Sequence, residues 1–284
     1  MATFTNQATL TYRGGATTSN VVTGELVEAL SVSKTATSAT YTQGEELTYL
    51  VSLINTGTTP LSGLTVTDDL GAYTVGTQTY LPLDYVEGSA RYYINGVPAA
   101  APTVTQASPL VVSELTVPAG GNALLLYRAR VTEFASPEEG ATVINTASVT
   151  GKGIVTPITA SATVTAQGGA MLSITKAIDP AVVSENDRLT YTFVIENAGN
   201  EAAVATDDLV ITDTFDPILT DLTVTLNGAV WPAAGNYTYD ETTGAFATVA
   251  SSVTVPAATY TQDAETGEWV VIPGVTVLQV SGTV

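Results

Sequence analysis

Residues 46–57 read Glu-Leu-Thr-Tyr-Leu-Val-Ser-Leu-Ile-Asn-Thr-Gly, and residues 188–199 read Arg-Leu-Thr-Tyr-Thr-Phe-Val-Ile-Glu-Asn-Ala-Gly. In both segments apolar side chains recur at every second position, which predicts a strand with one buried face. An Asn-x-Gly turn signal follows each strand at the same place. Because Tyr191 follows Tyr49 by 142 positions, the two segments indicate an internal repeat.

Two further pairs of segments support this repeat. They are Ser33-Lys34-Thr35-Ala36 with Thr175-Lys176-Ala177, and Thr65-Val-Thr-Asp68 with Val210-Ile-Thr-Asp213. Similar strand patterns, separated by Gly, Pro, Asn and Asp, run through the chain, and we find no convincing amphipathic helix. The sequence therefore predicts an all-β fold of two tandem immunoglobulin-like β-sandwiches, at 29–166 and 170–284.

The N-terminal segment is predicted to be a donor hairpin. The first copy closes with a strand at 143–149, a glycine turn and a second strand reaching Val164, whereas the second copy stops before any such hairpin. The same pattern begins the chain, where Phe4, Asn6, Ala8 and Leu10 match Val143, Asn145, Ala147 and Val149. We therefore expect residues 1–28 to complete the incomplete second domain of a neighbouring subunit.

A subunit with a donor at one end and a vacancy at the other would associate head to tail. An open sandwich presents unpaired backbone groups that favour strand addition, and an isolated hairpin is marginal in water. Head-to-tail contacts produce rings or open filaments. The alternative is that the hairpin folds back onto the second domain of its own chain.

Period two also predicts that each domain points a lysine, an aspartate and an asparagine toward its core. Each of these residues shares a strand face with apolar neighbours, as Lys34 does with Val32 and Leu30. In the second domain the asparagine would come from the donor hairpin. The two sets are Lys34, Asp68 and Asn145, and Lys176, Asp213 and Asn6.

Such an inward set permits two interpretations. Burial lowers the pKa of a lysine and raises that of a carboxyl group, and a neutral amine is a nucleophile. A protonated carboxyl group can polarise an asparagine amide, so attack by the amine would expel ammonia and leave a Lys–Asn amide. The other interpretation is a buried Lys–Asp salt bridge capped by the asparagine.

This pattern of Lys, strand Tyr, Asn-x-Gly, Val-Thr-Asp and Asn-Thr-Ala-x-Val resembles the immunoglobulin-like repeat of bacterial surface proteins, and is similar to fimbrial isopeptide-forming domains. The resemblance implies an intramolecular cross-link between Lys34 and Asn145, assisted by Asp68 as the acid. For the second copy it implies an intermolecular cross-link from Lys176 to Asn6, assisted by Asp213. The chain is also similar to subunits of clostridial spore appendages.

Composition excludes several functional classes. The chain has no cysteine and no histidine, which removes disulfides, Cys/His zinc sites and Ser-His or Cys-His triads. A formal net charge of −19 opposes binding to nucleic acid or anionic lipid. We expect no cofactor, no metal site, no membrane insertion and an extracellular location on a bacterial cell or spore, although we see no signal peptide.

The sequence leaves three candidate functions. The first is a non-enzymatic structural subunit of a pilus-like or appendage-like filament, a head-to-tail homopolymer whose anchoring protein the sequence does not identify. The second is a monomeric immunoglobulin-like adhesin or stalk module that binds a receptor or a glycan. The third is a carboxylate-based hydrolase, which the sequence disfavours because it contains no paired-acid motif.

Overall fold

The computed structural model describes residues 2–26 and 29–284, and 56% of the chain is in β-strands. Among these described residues the one helical segment is a 3-10 turn at Ala205–Asp207. The same residues contain no helix long and apolar enough to cross a bilayer. The all-β prediction is therefore confirmed. Positions 1, 27 and 28 of the predicted donor hairpin lie outside the described residues.

The chain divides into two compact units. The first comprises residues 1–39, 44–132 and 143–164, and the second comprises residues 40–43, 133–142 and 165–284. The predicted boundaries at 29–166 and 170–284 remain predictions.

The N-terminal segment is a long antiparallel hairpin. Its strands are β1 (Ala2–Asn6), β2 (Thr9–Tyr12), β3 (Gly15–Thr18) and β4 (Val22–Leu26). β1 pairs with β4, with Phe4 opposite Gly24, and β2 pairs with β3. Gly14 has a φ of +130°, which suits glycine at the tip of the hairpin.

Fourteen strands follow between residues 30 and 166. They are β5 (Leu30–Ala36), β6 (Thr40–Tyr41), β7 (Glu46–Asn55), β8 (Leu61–Asp68), β9 (Tyr73–Val75), β10 (Gln78–Tyr80), β11 (Leu83–Tyr85), β12 (Arg91–Ile94), β13 (Val97–Pro98), β14 (Thr103–Ala107), β15 (Leu110–Val117), β16 (Asn122–Val131), β17 (Thr142–Thr150) and β18 (Ile158–Ala166).

The strands between residues 30 and 166 have the order of an immunoglobulin sandwich. One sheet runs β13-β12-β16-β7-β5 and the other runs β14-β15-β8-β17-β18-β6. In this order β5, β7, β16 and β12 take the places of strands A, B, E and D, and β8, β17 and β18 those of C, F and G. Alternate residues of the long strands are buried, as period two predicts, and include Leu47, Val51, Leu53 and Leu125.

The second unit contains ten more strands. They are β19 (Leu172–Asp179), β20 (Arg188–Asn197), β21 (Thr212–Thr214), β22 (Thr220–Leu226), β23 (Ala229–Val230), β24 (Tyr237–Tyr239), β25 (Ala245–Thr248), β26 (Thr259–Gln262), β27 (Trp269–Ile272) and β28 (Gly274–Thr283).

One sheet of the second unit repeats the A-B-E-D order, but the facing sheet stops at strand C. The first sheet runs β19-β20-β28-β22-β23, while the second is β21-β25-β24. β21 takes the place of β8 because the two strands contain the matching aspartates, Asp213 and Asp68. Within residues 2–26 and 29–284, no strand pairs with the other edge of β21, where β17 pairs with β8 in the first unit.

The two Asn-x-Gly segments bury their asparagines instead of exposing them in a simple turn. Asn55 Nδ2 donates to the carbonyl oxygens of Thr59 and Pro118, at 2.8 and 3.0 Å, and its Oδ1 accepts from Gly57 N at 2.9 Å. Asn197 makes matching bonds in the second unit. Each asparagine therefore ties together two loops at one end of its sandwich.

Candidate functional site

In the first unit the structure brings Lys34 and Asp68 into direct contact. Lys34 Nζ donates to Asp68 Oδ2 at 2.6 Å, and both side chains are fully buried. Lys34 lies on β5, opposite Val51, and Asp68 ends β8 on the facing sheet. The prediction that both residues point inward therefore holds in this unit.

Tyr127 connects this pair to the predicted asparagine. Its hydroxyl donates to Asp68 Oδ2 at 2.6 Å and accepts from Asn145 Nδ2 at 3.1 Å. Asn145 is fully buried on β17. Sequence analysis did not single out Tyr127, although its spacing from Leu125 on β16 places it on the core face.

Burial changes the acid–base properties of this cluster. It lowers the pKa of the Lys34 amine, although the adjacent Asp68 carboxylate opposes that shift. Burial, reinforced by Asp68, raises the pKa of the Tyr127 hydroxyl well above its ordinary value. Asn145 Oδ1 is buried and has no hydrogen-bond partner among the described residues. The cluster thus contains an amine that releases its proton more readily than usual and a carbonyl oxygen left unsatisfied.

The second set is only partly assembled. Lys176 Nζ donates to Asp213 Oδ2, but 39% of the lysine side chain and 19% of the aspartate side chain are exposed. The Lys176 ammonium lies 4.3 Å from the ring centroid of Tyr191 and within 6 Å of Phe193 and Phe215. Lysine and aspartate therefore meet as predicted, but water reaches them.

The exposure of Lys176 belongs to a wider uncovered apolar surface. Leu172, Ile174 and Ile178 share its face of β19 and are all exposed, Ile174 by 53%. The matching strand β5 buries Leu30 and Lys34 instead. We call the uncovered surface formed by β19 and the free edge of β21 the acceptor groove.

The predicted donor-strand residues lie in the hairpin with their side chains in solvent. Phe4 is 57% exposed and Leu10 is 64% exposed, and Asn6 and Ala8 are also exposed. Among the hydrogen bonds of the described residues, Asn6 shares none with Lys176 or Asp213. Within this chain, Asn6 therefore makes no hydrogen bond to the other two residues of its predicted set.

Comparison with known proteins gives weak structural likenesses. No protein-family model and no curated protein matches the chain. Among solved structures it is similar to the major pilin subunit BcpA of Bacillus cereus, with 13% identity, a TM-score of 0.37, and coverage of 95% of this chain and 73% of that one.

Two other solved structures show the range of these likenesses. One is the collagen-binding subdomain of the Enterococcus faecalis surface protein ACE, with 8% identity, a TM-score of 0.33, and coverage of 50% of this chain and 99% of that one. The other is a family 123 glycoside hydrolase from Clostridium perfringens, with 11% identity and a TM-score of 0.32. It matches 49% of this chain, which spans about a quarter (27%) of the hydrolase.

Because none of these TM-scores reaches 0.5, the assignment of an immunoglobulin-like fold rests on the strand order described above. The resemblance to clostridial spore-appendage subunits stays a prediction.

Proposed function

We propose that this chain is a structural subunit of an extracellular filament on the bacterial cell or spore surface. In this proposal, the N-terminal hairpin of one copy occupies the acceptor groove of the next copy, and Lys–Asn isopeptide bonds lock the chain of subunits. The observation that carries the proposal is the complementarity of two exposed surfaces, an apolar hairpin face and an apolar groove with an unpaired strand edge. Strand addition at such an edge supplies backbone hydrogen bonds as well as side-chain packing.

The first unit provides a template for the docked arrangement. There Ala147 on β17 pairs with Asp68 on β8, and Asn145 lies two residues earlier on the same face. Ala8 and Asn6 match these two residues in the hairpin. A hairpin docked in the same register would therefore pair Ala8 with Asp213 and direct Asn6 toward Lys176.

Apolar burial supplies a driving force for this docking. Phe4, Leu10 and Ile174 are all more than half exposed in the free chain. Burying a large apolar side chain stabilises a contact by about 1.5–3 kcal/mol. Because donor and acceptor are different surfaces of the same molecule, each added subunit presents a new free groove, and growth is heterologous.

The proposed covalent step needs no co-reactant. A neutral lysine amine attacks Cγ of the asparagine, a new C–N bond forms, and the bond from Cγ to Nδ2 breaks to release ammonia. The Lys34 site holds its lysine, acid and asparagine within one chain. The Lys176 site would receive its asparagine only from a docked neighbour, so its bond would form after assembly.

The high negative charge is compatible with a long homopolymer. Eight basic residues oppose 27 acidic residues in each chain, which gives a formal net charge of −19. Repulsion between like-charged filaments opposes lateral aggregation.

Deleting residues 1–24 tests the filament proposal. The full chain is expected to give concentration-dependent polymers in electron micrographs and by light scattering, whereas the deleted chain should remain monomeric. Circular dichroism and the thermal transition of the first unit serve as controls, because that sandwich retains all its strands. A full chain that is monomeric at every concentration, or a deleted chain that still polymerises, would contradict the proposal, and a monomeric full chain would favour an adhesin.

A further inference from the structure

We propose that Tyr127 is a catalytic residue of the Lys34–Asn145 cross-linking reaction, in which its hydroxyl carries a proton from Asp68 to the amide nitrogen that leaves as ammonia. This inference rests on the isopeptide chemistry proposed above and adds a participant to it. It is independent of hairpin docking, because all four residues belong to the first unit.

Three hydrogen bonds connect the attacking nitrogen to the leaving nitrogen. Lys34 Nζ lies 2.6 Å from Asp68 Oδ2, which lies 2.6 Å from the Tyr127 hydroxyl, and that hydroxyl lies 3.1 Å from Asn145 Nδ2. Among the described residues, Tyr127 is thus the one polar group that lies between the Asp68 carboxylate and the leaving amide nitrogen. A group in hydrogen-bond contact with a reacting atom is positioned for general acid catalysis.

The proton transfers along this path balance. The Lys34 ammonium first gives a proton to Asp68, which leaves a neutral amine and a neutral carboxyl group. The amine attacks Cγ of Asn145, and its nitrogen becomes cationic while the amide oxygen becomes anionic. Tyr127 then donates its proton to Nδ2 and takes one from Asp68, and the cationic nitrogen returns a proton to Asp68 as the carbonyl re-forms. The products are an amide and ammonia, and Asp68 ends as a neutral carboxyl group that holds the proton returned by the new amide nitrogen.

The surroundings of Tyr127 suit this role. Its ring is fully buried and stacks on Tyr49, with centroids 5.6 Å apart and an interplanar angle of 20°, which restricts its rotation. Burial raises the pKa of the hydroxyl, so the phenol keeps the proton that it must donate. Because all four side chains are buried, a protein group is placed to supply the proton that bulk solvent supplies at an exposed site.

At the second site a valine occupies the position that matches Tyr127. Tyr127 lies opposite Tyr49 on the central pair of strands, and the residue opposite the matching Tyr191 is Val280. Lys176 and Asp213 are also partly exposed before docking. The proton relay through tyrosine is therefore a property of the intramolecular site, and its loss should leave assembly of the filament intact.

The experiment follows ammonia loss by intact mass spectrometry after cell-free synthesis of the full chain. We expect the monomer of the wild-type chain to lose the mass of one ammonia and the monomer of Lys34→Ala to lose none, because the Lys176–Asn6 bond forms only in cross-linked multimers. Tyr127→Phe should lose it about 100-fold more slowly or more, the range that a general acid contributes. Tyr49→Phe, which removes a hydroxyl from the stacked neighbour, should react at close to the wild-type rate.

Three outcomes would overturn the inference. They are a wild-type chain that loses no ammonia, a Tyr127→Phe chain that reacts at the wild-type rate, and equal slowing in Tyr49→Phe, which would indicate a packing effect. Circular dichroism establishes that each variant is folded. Electron micrographs of the same samples report filament formation separately, so a failure of the filament proposal is distinguishable from a failure of this one.

Discussion

Lys34 lies opposite Val51 in its sheet and Lys176 lies opposite Phe193, so the two lysines hold the same register position, yet Lys34 is fully buried and Lys176 is 39% exposed. The two lysines differ in exposure because of what the facing sheet places over them, and not because of their position along the strand. In the first unit β17 lies beside β8 and carries Asn145 into the core. No described strand covers the corresponding edge of β21.

The first prediction concerns the face of the hairpin that carries Leu10. Leu10→Asp should abolish or strongly weaken polymerisation, because Leu10 matches the buried Val149 and a charge there would be desolvated on docking. Thr11→Asp changes the neighbouring residue in the same way, but it matches the exposed Thr150 and should polymerise like the wild-type chain. Light scattering against concentration measures both. Equal loss in the two variants would mean that the hairpin face does not determine docking.

A second prediction concerns the intermolecular bond. Assemblies boiled in SDS should give a ladder of multimers that disappears in Asn6→Ala and in Lys176→Ala, since each variant removes one partner of the amide. Asn20→Ala removes another exposed asparagine of the same hairpin and should keep the ladder. A single monomer band from wild-type filaments would leave strand addition in place but reject the covalent lock.

The lowered pKa of Lys34 gives a third prediction, about stability against pH. Between the lowered folded pKa and the ordinary lysine pKa of 10.5, the unfolded chain binds more protons than the folded chain, so stability rises with pH in that interval. In an Asn145→Ala background, which cannot cross-link, the free energy of unfolding should therefore rise with pH relative to the same chain carrying Lys34→Met. Denaturant titrations up to pH 10 measure this difference. A difference that stays flat or falls with pH would contradict the burial argument.

A fourth prediction tests the loop-tying asparagines. Asn55→Ala should destabilise the first unit by about 2 kcal/mol or more, because it leaves several buried backbone groups without partners. Thr56→Ala removes a single exposed hydrogen bond to the Ala29 carbonyl oxygen and should have a much smaller effect. Scanning calorimetry reports both. Equal effects of the two substitutions would show that burial of Asn55 contributes little.

Much of the fold could be predicted from local pattern. Period two placed Lys34, Asp68 and Asn145 on the core face, and the structure buries all three. The same rule assigned Lys176 to an inward face but could not report its exposure, because coverage depends on a strand from elsewhere in the chain or from another chain. The Asn-x-Gly pattern predicts turns, but it does not predict that the asparagine side chains are buried. The reason is that each one binds a loop that is distant in sequence.

The sequence by itself determined the strands, the 142-residue repeat and the two inward sets of lysine and aspartate, since side-chain direction along a strand follows from the alternation of neighbours. Only the tertiary structure decided that Tyr127 joins Asp68 to Asn145 and that the edge of β21 is uncovered. The physical reason is that these contacts join strands far apart in the chain. Which strands meet across a sandwich is set by packing of whole sheets, and no local periodicity encodes it.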